Sequence, residues 1–380
     1  MIYRSVYRHI CLRREKLNIQ GDDFQWVFSD PVVKYAAPFL RFLQKAGLLV
    51  LDENAQKFSE AAYYQNQVRW LMWKPTFEQI LVLLRVHQID LLPLKAFAYG
   101  EQLYPISGLR RFSDIDILVK PEKFLQAIKL LIDHDFSLLG ECFQVLQTHP
   151  NKVSEVSLRS PQGHLIEVHQ SLLPVKNFFR YEIGLHINHD EIWQRASLNE
   201  EINSNNYTMC LTDTLAHLCL HAATHGLSSQ SPFTYLDIDC WLRQSAEVID
   251  WDEFLSTVNR WKIKNAAFHT FQLCQKIYNS PIPTWVMQQL DPGIWAKWRV
   301  ALVYSFEAYV THNSSKSGIR NPKWVRLLLH DSFMDILKIL FGGFFPSKKI
   351  REVVYARPVS LHKHWMLIMR KMKNQTLLNE

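Results

Sequence analysis

The stretch SGLRRFSDIDILV (107–119) sets two carboxylates, Asp114 and Asp116, one residue apart at the head of an apolar run. In a strand, residues i and i+2 project from one face, so both acids point together while Ile115 and Ile117 turn into the sheet. Like charges held side by side repel, and each is costly if buried without a partner. A divalent cation removes that cost. Mg2+ takes one or two carboxylates together with water and substrate phosphate oxygens. Glu167, in LIEVHQ, sits on another predicted strand and shares a face with His169. It is the candidate third carboxylate, with His169 as an auxiliary group. Metal held there would activate an attacking hydroxyl and neutralise a leaving pyrophosphate. Arg110 and Arg111 are natural clamps for a triphosphate, Ser113 lies in the same loop, and Lys95 offers a further phosphate contact. A lone D-x-D is common and at a loop edge usually does nothing, so its surroundings decide.

Those surroundings alternate between strand and helix. Residues 1–88 read as helical, with Phe77, Ile80, Leu81, Leu84 and Val86 along one face of 76–88. IDLLPLK (89–95) has strand length, AFAYGEQLY (96–104) suits two helical turns, and PISGLRRFS (105–113) is a loop. DIDILVK (114–120) is a strand. PEKFLQAIKLLIDHDF (121–136) is a helix opening on Pro, with Phe124, Ile128 and Leu131 in one stripe. VSEVSLRS and GHLIEVHQS, joined by SPQG, form a hairpin. Strands then stop at about residue 175. LTDTLAHLCLHAATHG (211–226) reads as a helix from a Thr cap to a Gly stop, and further helices cover 234–246, 251–262 and 265–279. The expected class is α+β: a small mixed sheet at 89–175, helical regions at 1–88 and 176–300, and a basic helical region at 301–380.

With 48% hydrophobic and 21% charged residues, the 380-residue chain has the composition of a globular protein of more than one unit. Its net charge of +7 suits an anionic ligand, whether nucleotide, nucleic acid or membrane surface. Six cysteines lack C-x-x-C or paired spacing and read as reduced thiols of a cytoplasmic protein. The N-terminus is too rich in Arg and His for a signal-peptide core. No uncharged run is long enough to span a bilayer. FMDILKILFGGFFP (333–346) comes nearest, but carries Asp335 and Lys338 and reads as a buried helix.

Three further patterns need placing. His217, His221 and His225 form one helical stripe spanning about 12 Å, too long for a single ion. They read as a polar seam against the core, with Asp237 or Asp239 as hydrogen-bond partners. Asp237 and Asp239 repeat D-x-D in helical context, where i and i+2 part, and read as structural. The C-terminal segment carries Trp365, Leu367, Ile368 and Met372 among Lys and Arg, and reads as a last helix with a solvated basic face rather than a membrane or nucleic-acid binder.

The run LLPLKAFAYGEQLYPISGLRRFSDIDILVKPEKFLQAIKLL resembles the DNA-polymerase-beta-like nucleotidyltransferase superfamily. It is most similar to an uncharacterised bacterial nucleotidyltransferase family that reads L-K-G, then Y-P, then G-h-R-x-x-x-D-h-D-h-L-V. The resemblance continues through IEVHQSL, LAHLCLHAATHG and YLDIDCWLRQSAEVIDWDEF, and reaches FFPSKKIREVVYARP. It implies a nucleotidyltransferase core, Mg2+, and transfer of NMP from an NTP to an unidentified hydroxyl or phosphate acceptor. Asp114 and Asp116 fall on the metal-binding pair, Arg110 on the family arginine, Lys95 on the family lysine, and Glu167 on a third acid. Where the family has Gly after the lysine, this chain has Ala96, and no G-S pair follows. The alternative is therefore a catalytically degenerate member that binds a nucleotide or a partner. A transferase acting on nucleic acid is a less favoured third reading.

Overall fold

The computed structural model describes residues 17–19, 41, 44–45, 49–51, 53–104, 106, 108–139, 146, 153–173, 184–199, 206–225, 227, 232–301, 327, 329–355 and 358–377. Its central element is a five-stranded mixed sheet in the order β3-β4-β7-β6-β5. The strands are β3 (Leu91–Pro93), β4 (Ile115–Val119), β5 (Ser137–Leu138), β6 (Glu155–Arg159) and β7 (Leu165–His169). β4 lies antiparallel to β3 and parallel to β7, and β7 pairs with β6 as the expected hairpin. Gly163, at φ 87°, turns that hairpin in a conformation other residues resist.

Period-two alternation sorts the sheet's two faces. Ile115, Ile117, Val156, Leu158, Ile166 and Val168 pack against α1 (Glu53–Val86), which contributes Ile80 and Leu84, and α3 (Pro121–Ile132), which contributes Phe124 and Leu131. Pro121 starts α3 where its missing N–H costs nothing, and Glu122 suits the positive end of the helix. On the opposite face, Leu92 and Leu118 join a second cluster built largely from helices. The central helix of that cluster is α5 (Leu211–Thr224), buried along nearly its whole length. Around it lie α6 (Pro232–Gln244), α7 (Trp251–Trp261) and α8 (Lys264–Tyr278). Asp116 shares the face of Leu118 and so looks toward the helices. The remaining helices are α2 (Ala96–Leu103), α4 (His189–Arg195), α9 (Thr284–Leu290), α10 (Ile294–Ala301), α11 (Phe333–Phe344), α12 (Lys348–Tyr355) and α13 (Leu361–Leu377).

Four expectations are corrected. The region 1–88 is not wholly helical, because Leu17–Ile19 (β1) and Leu49–Leu51 (β2) pair in parallel. Most of residues 1–48 lie outside the described residues, as do Cys11 and Cys142. Strands do not end near 175. Ser197–Leu198 (β8) and Tyr207–Thr208 (β9) form an antiparallel pair, too short to show periodicity. The cap of α5 is Cys210 rather than Thr; Thr212 lies inside the first turn with its hydroxyl 3.3 Å from the Cys210 sulfur. Gly226 lies outside the described residues. Finally, α11 is not simply buried: Phe333, Leu337 and Phe341 are exposed although Ile336 and Ile339 are not. No helix among the described residues is long and apolar enough to cross a membrane.

The junction after β7 predicts acid sensitivity. The Leu172 N–H donates to His189 Nε2 at 3.1 Å, a bond only the unprotonated nitrogen accepts. Burial pushes His189 down to about 4, against the raising effect of Asp190. The unfolded chain, at about 6.5, therefore binds the proton first. This stabilisation, at most about 3 kcal/mol, is complete above pH 6.5 and is lost as pH falls through about 4. His269, also held neutral by burial, adds to the same slope. His189→Gln, which accepts without titrating, should flatten the fall in denaturation midpoint between pH 6.5 and 4. An unchanged fall would remove His189 from the account.

Candidate active site

Asp116 and Glu167 are register partners across the parallel pair β4 and β7, and Leu118 is paired with His169 two residues on. Parallel strands hold such partners side by side on one face. Donor atoms of Asp116, Glu167 and His169 consequently lie within 4.8 Å of one another. Asp116 is buried, and its Oδ1 receives Lys95 Nζ at 2.8 Å and lies 3.2 Å from His169 Nε2. The other imidazole nitrogen of His169 is 3.4 Å from Glu155 Oε2 on β6, its register partner in the hairpin.

Lys95 arrives by an unusual backbone route. It caps α2 at φ 53°, ψ −123°, in a region that L residues rarely occupy. Its carbonyl accepts from Ala98 and Tyr99, while Leu94 N–H is fixed to the Asp116 carbonyl. Strain of this kind persists where the surroundings over-determine it, and it clusters at functional sites. Ala96 is buried against Trp70 and Phe112.

The electrostatics describe a surplus of negative charge. Burial works against the charge of Asp116, but Lys95 and the hydrogen bond to His169 outweigh it and hold the carboxyl below its usual range. Glu167 goes the other way, raised to about 7 by burial and then by the Asp116 and Glu155 charges. Asp114, half-buried at the strand mouth, is raised by burial and by Asp116, against Lys95 and a hydrogen bond from Ser113. Burial opposes the Lys95 charge, yet Asp116 and Asp114 raise its proton affinity overall. Three carboxylates, Asp116, Asp114 and Glu167, thus act on one ammonium, and Glu155 adds its charge to Glu167. Carboxylate oxygens carrying excess negative charge, with one imidazole, suit a divalent metal ion.

Not every predicted site residue joins this group. Arg110 is buried and directs Nε and Nη2 to Asp237 of α6, at 2.9 and 2.7 Å. Tyr104 hydroxyl also donates to Asp237, and Tyr99 hydroxyl does so at 3.3 Å. The geometry therefore ties Arg110 to helix α6 rather than presenting a free fork to a triphosphate. Arg111 is half-buried near Arg69, and Ser113 is exposed beside Asp114. The second D-x-D parts as expected, with Asp239 holding Arg243 and Ser280. The bonds described to Asp237 and Asp239 come from Arg110, Tyr99, Tyr104, Arg243 and Ser280. The inner member of the histidine stripe, His217, is buried, and both burial and the nearby charges of Lys95 and His169 push it down to about 3. Glu155 is the neighbour the sequence did not single out, although it was legible in hairpin register opposite His169. His217, read in the sequence as part of a polar seam against the core, is the stripe member that feels Lys95 and His169.

The sheet thus sets Asp116, Glu167 and His169 where their donor atoms could hold one metal ion, with Asp114 just ahead of β4 and a strained lysine between helix and sheet. The chain belongs to a family of uncharacterised nucleotidyltransferases, whose model matches residues 36–279. The match includes the whole sheet and α5 to α8; FFPSKKIREVVYARP lies beyond it. No curated protein and no solved structure matches the chain.

Proposed function

We propose that the chain transfers a nucleoside monophosphate from an NTP to a hydroxyl or phosphate acceptor, with Mg2+ held by Asp114, Asp116 and Glu167. The observation that carries this reading is the placement of Asp116 opposite Glu167, with Lys95 delivered beside them by a strained turn. The acceptor oxygen bonds to the α-phosphorus as the bond to the α–β bridging oxygen breaks, and pyrophosphate leaves with the electron pair. Bound Mg2+ would balance the surplus negative charge and offset charge developing on acceptor and leaving group. Glu167, whose Oε2 lies 3.8 Å from His169 Nε2, would share the ion through one carboxylate oxygen and take the acceptor's proton through the other. Lys95 provides positive charge for the phosphate tail, with Arg111 and Ser113 on the loop before β4. Arg110 acts by positioning, fastening that loop to α6 through Asp237. We place the catalytic unit in 89–175, with the helical regions 1–88, 176–300 and 301–380 around it. A cytoplasmic setting suits Cys210, Cys219, Cys240 and Cys274, none of which is in a disulfide.

Thermal denaturation against each of the four NTPs tests donor binding without knowledge of the acceptor. Ligand bound to the folded state stabilises it by mass action, by about 2.7 kcal/mol at a hundredfold excess over Kd, and so raises the melting temperature. We expect a shift that requires Mg2+ with at least one NTP; no shift with any of them would sink this reading. A degenerate binding protein is the second reading, favoured by Lys95 being already paired with Asp116 and by Ala96 at the family's glycine position. It predicts the same shift without Mg2+-dependent pyrophosphate release.

A further inference from the structure

Two C-terminal helices, beyond the segment matched by the family, carry an apolar face that no described part of the chain covers. On α11, Phe333, Leu337 and Phe341 recur at helical spacing, and Phe341 is 67% exposed. On α13, Trp365, Met366 and Met369 do the same, and Met369 is 65% exposed. The two stripes form one surface. Phe341 stacks on Phe345 with centroids 4.9 Å apart, and Phe345 meets Trp365 edge-on at 5.4 Å. Trp365 Nε1 donates to the Phe344 carbonyl at 2.6 Å, and the buried His364 is 3.0 Å through Nε2 from the Gly343 carbonyl. These bonds hold α13 against the end of α11, so the exposure follows from a fixed packing.

Charge says what such a face would meet. From 333 to 373 the sequence holds nine Lys or Arg against two acids, Asp335 and Glu352. Asp335 is itself paired with Lys338, 3.0 Å away. Lys338, Lys348 and Lys363 are exposed on the helices that carry or join the aromatic stripes. Aromatic and methionine side chains flanked by cations match the boundary between acyl chains and anionic headgroups. A second copy of the chain would bring like charges together. A nucleic acid would satisfy the cations but leave Phe341, Met366 and Met369 in water.

We propose that α11 and α13 form an interfacial docking surface for an anionic lipid bilayer, on which the helices lie without crossing it. This inference is independent of the transferase reading. The test is flotation of the full chain with vesicles of phosphatidylcholine, alone or mixed with phosphatidylglycerol. The expected result is flotation with the anionic vesicles, release by raised salt, and little association with phosphatidylcholine alone. Phe341→Ser with Met369→Ser should weaken binding about tenfold for each inserted side chain. Lys348→Glu with Lys363→Glu should weaken it about fivefold for each cation removed. Because these side chains are exposed, melting temperatures should stay at the wild-type value, which shows that the variants fold.

Four results would overturn the proposal. The wild type could fail to float with anionic vesicles at low salt, or the serine pair could float as well as wild type. Concentration-dependent dimerisation abolished by the serine pair, without vesicle binding, would assign the face to a second copy. Salt-sensitive binding of an RNA oligonucleotide, without vesicle binding, would assign it to nucleic acid.

Discussion

Asp116→Asn is expected to lower Mg2+-dependent pyrophosphate release by about a thousandfold or more, the scale of losing one preorganised charge at a transition state. The substitution keeps the shape of the side chain and an oxygen for Lys95, so the loss would be one of charge. Asp116 is the most buried acid of the site and the one that Lys95, His169 and the Glu167 register all address. With it neutral, Lys95 keeps only the weaker attractions of Asp114 and Glu167 against its burial. The Mg2+-dependent part of the NTP thermal shift should disappear as well. Asp114→Asn, at a half-buried position, should cost less on both readouts. Retention of wild-type pyrophosphate release by Asp116→Asn would refute the assignment.

What could be read in the chain was whatever leaves a local signature. The alternation of DIDILVK marked β4, although the strand begins at Ile115 and leaves Asp114 at its mouth. The Pro–Glu opening and apolar stripe marked α3, and the SPQG turn between two alternating runs marked the β6–β7 hairpin. Glu167 was reachable because its strand showed the same alternation. Pairing between distant strands has no such signature. Nothing near residue 116 states that β4 lies parallel to β7 and not to a neighbour in sequence, yet that adjacency joins Asp116 to Glu167. The partner of Arg110 was equally hidden. Its loop suggested a phosphate clamp, and only the packing of α6 brings a buried carboxylate to it from 127 residues away. The short pair β8–β9 escaped because two-residue strands are too brief for a period to show. The exposed face of α11 escaped for the opposite reason: a strongly apolar helix reads as buried when no partner surface can be seen.

The Arg110–Asp237 pair carries the largest expected effect on stability. Asp237 is fully buried and accepts from Arg110, Tyr99 and Tyr104. Burial works against the Arg110 guanidinium, and Asp237 more than offsets it. Asp237→Ala would leave a buried cation unpaired and two phenolic hydroxyls without their acceptor. The expected cost is about 3–5 kcal/mol, read as a fall in the denaturant midpoint at constant slope. Arg110→Met should cost a comparable amount, because it strands the carboxylate instead. Joining Arg110→Met to Asp237→Leu removes both charges, and apolar groups of similar size should restore most of the lost stability. The double-mutant cycle would then show strong coupling between two residues far apart in sequence. NTP binding need not return with it, since the loop bearing Arg111 and Ser113 would have lost its directional anchor. Positioning and direct phosphate contact separate on this point. If Arg110 gripped the triphosphate itself, Arg110→Met would abolish the NTP shift while leaving the midpoint close to wild type. A residue that acts by fastening its loop to α6 must lower the midpoint first and nucleotide affinity as a consequence.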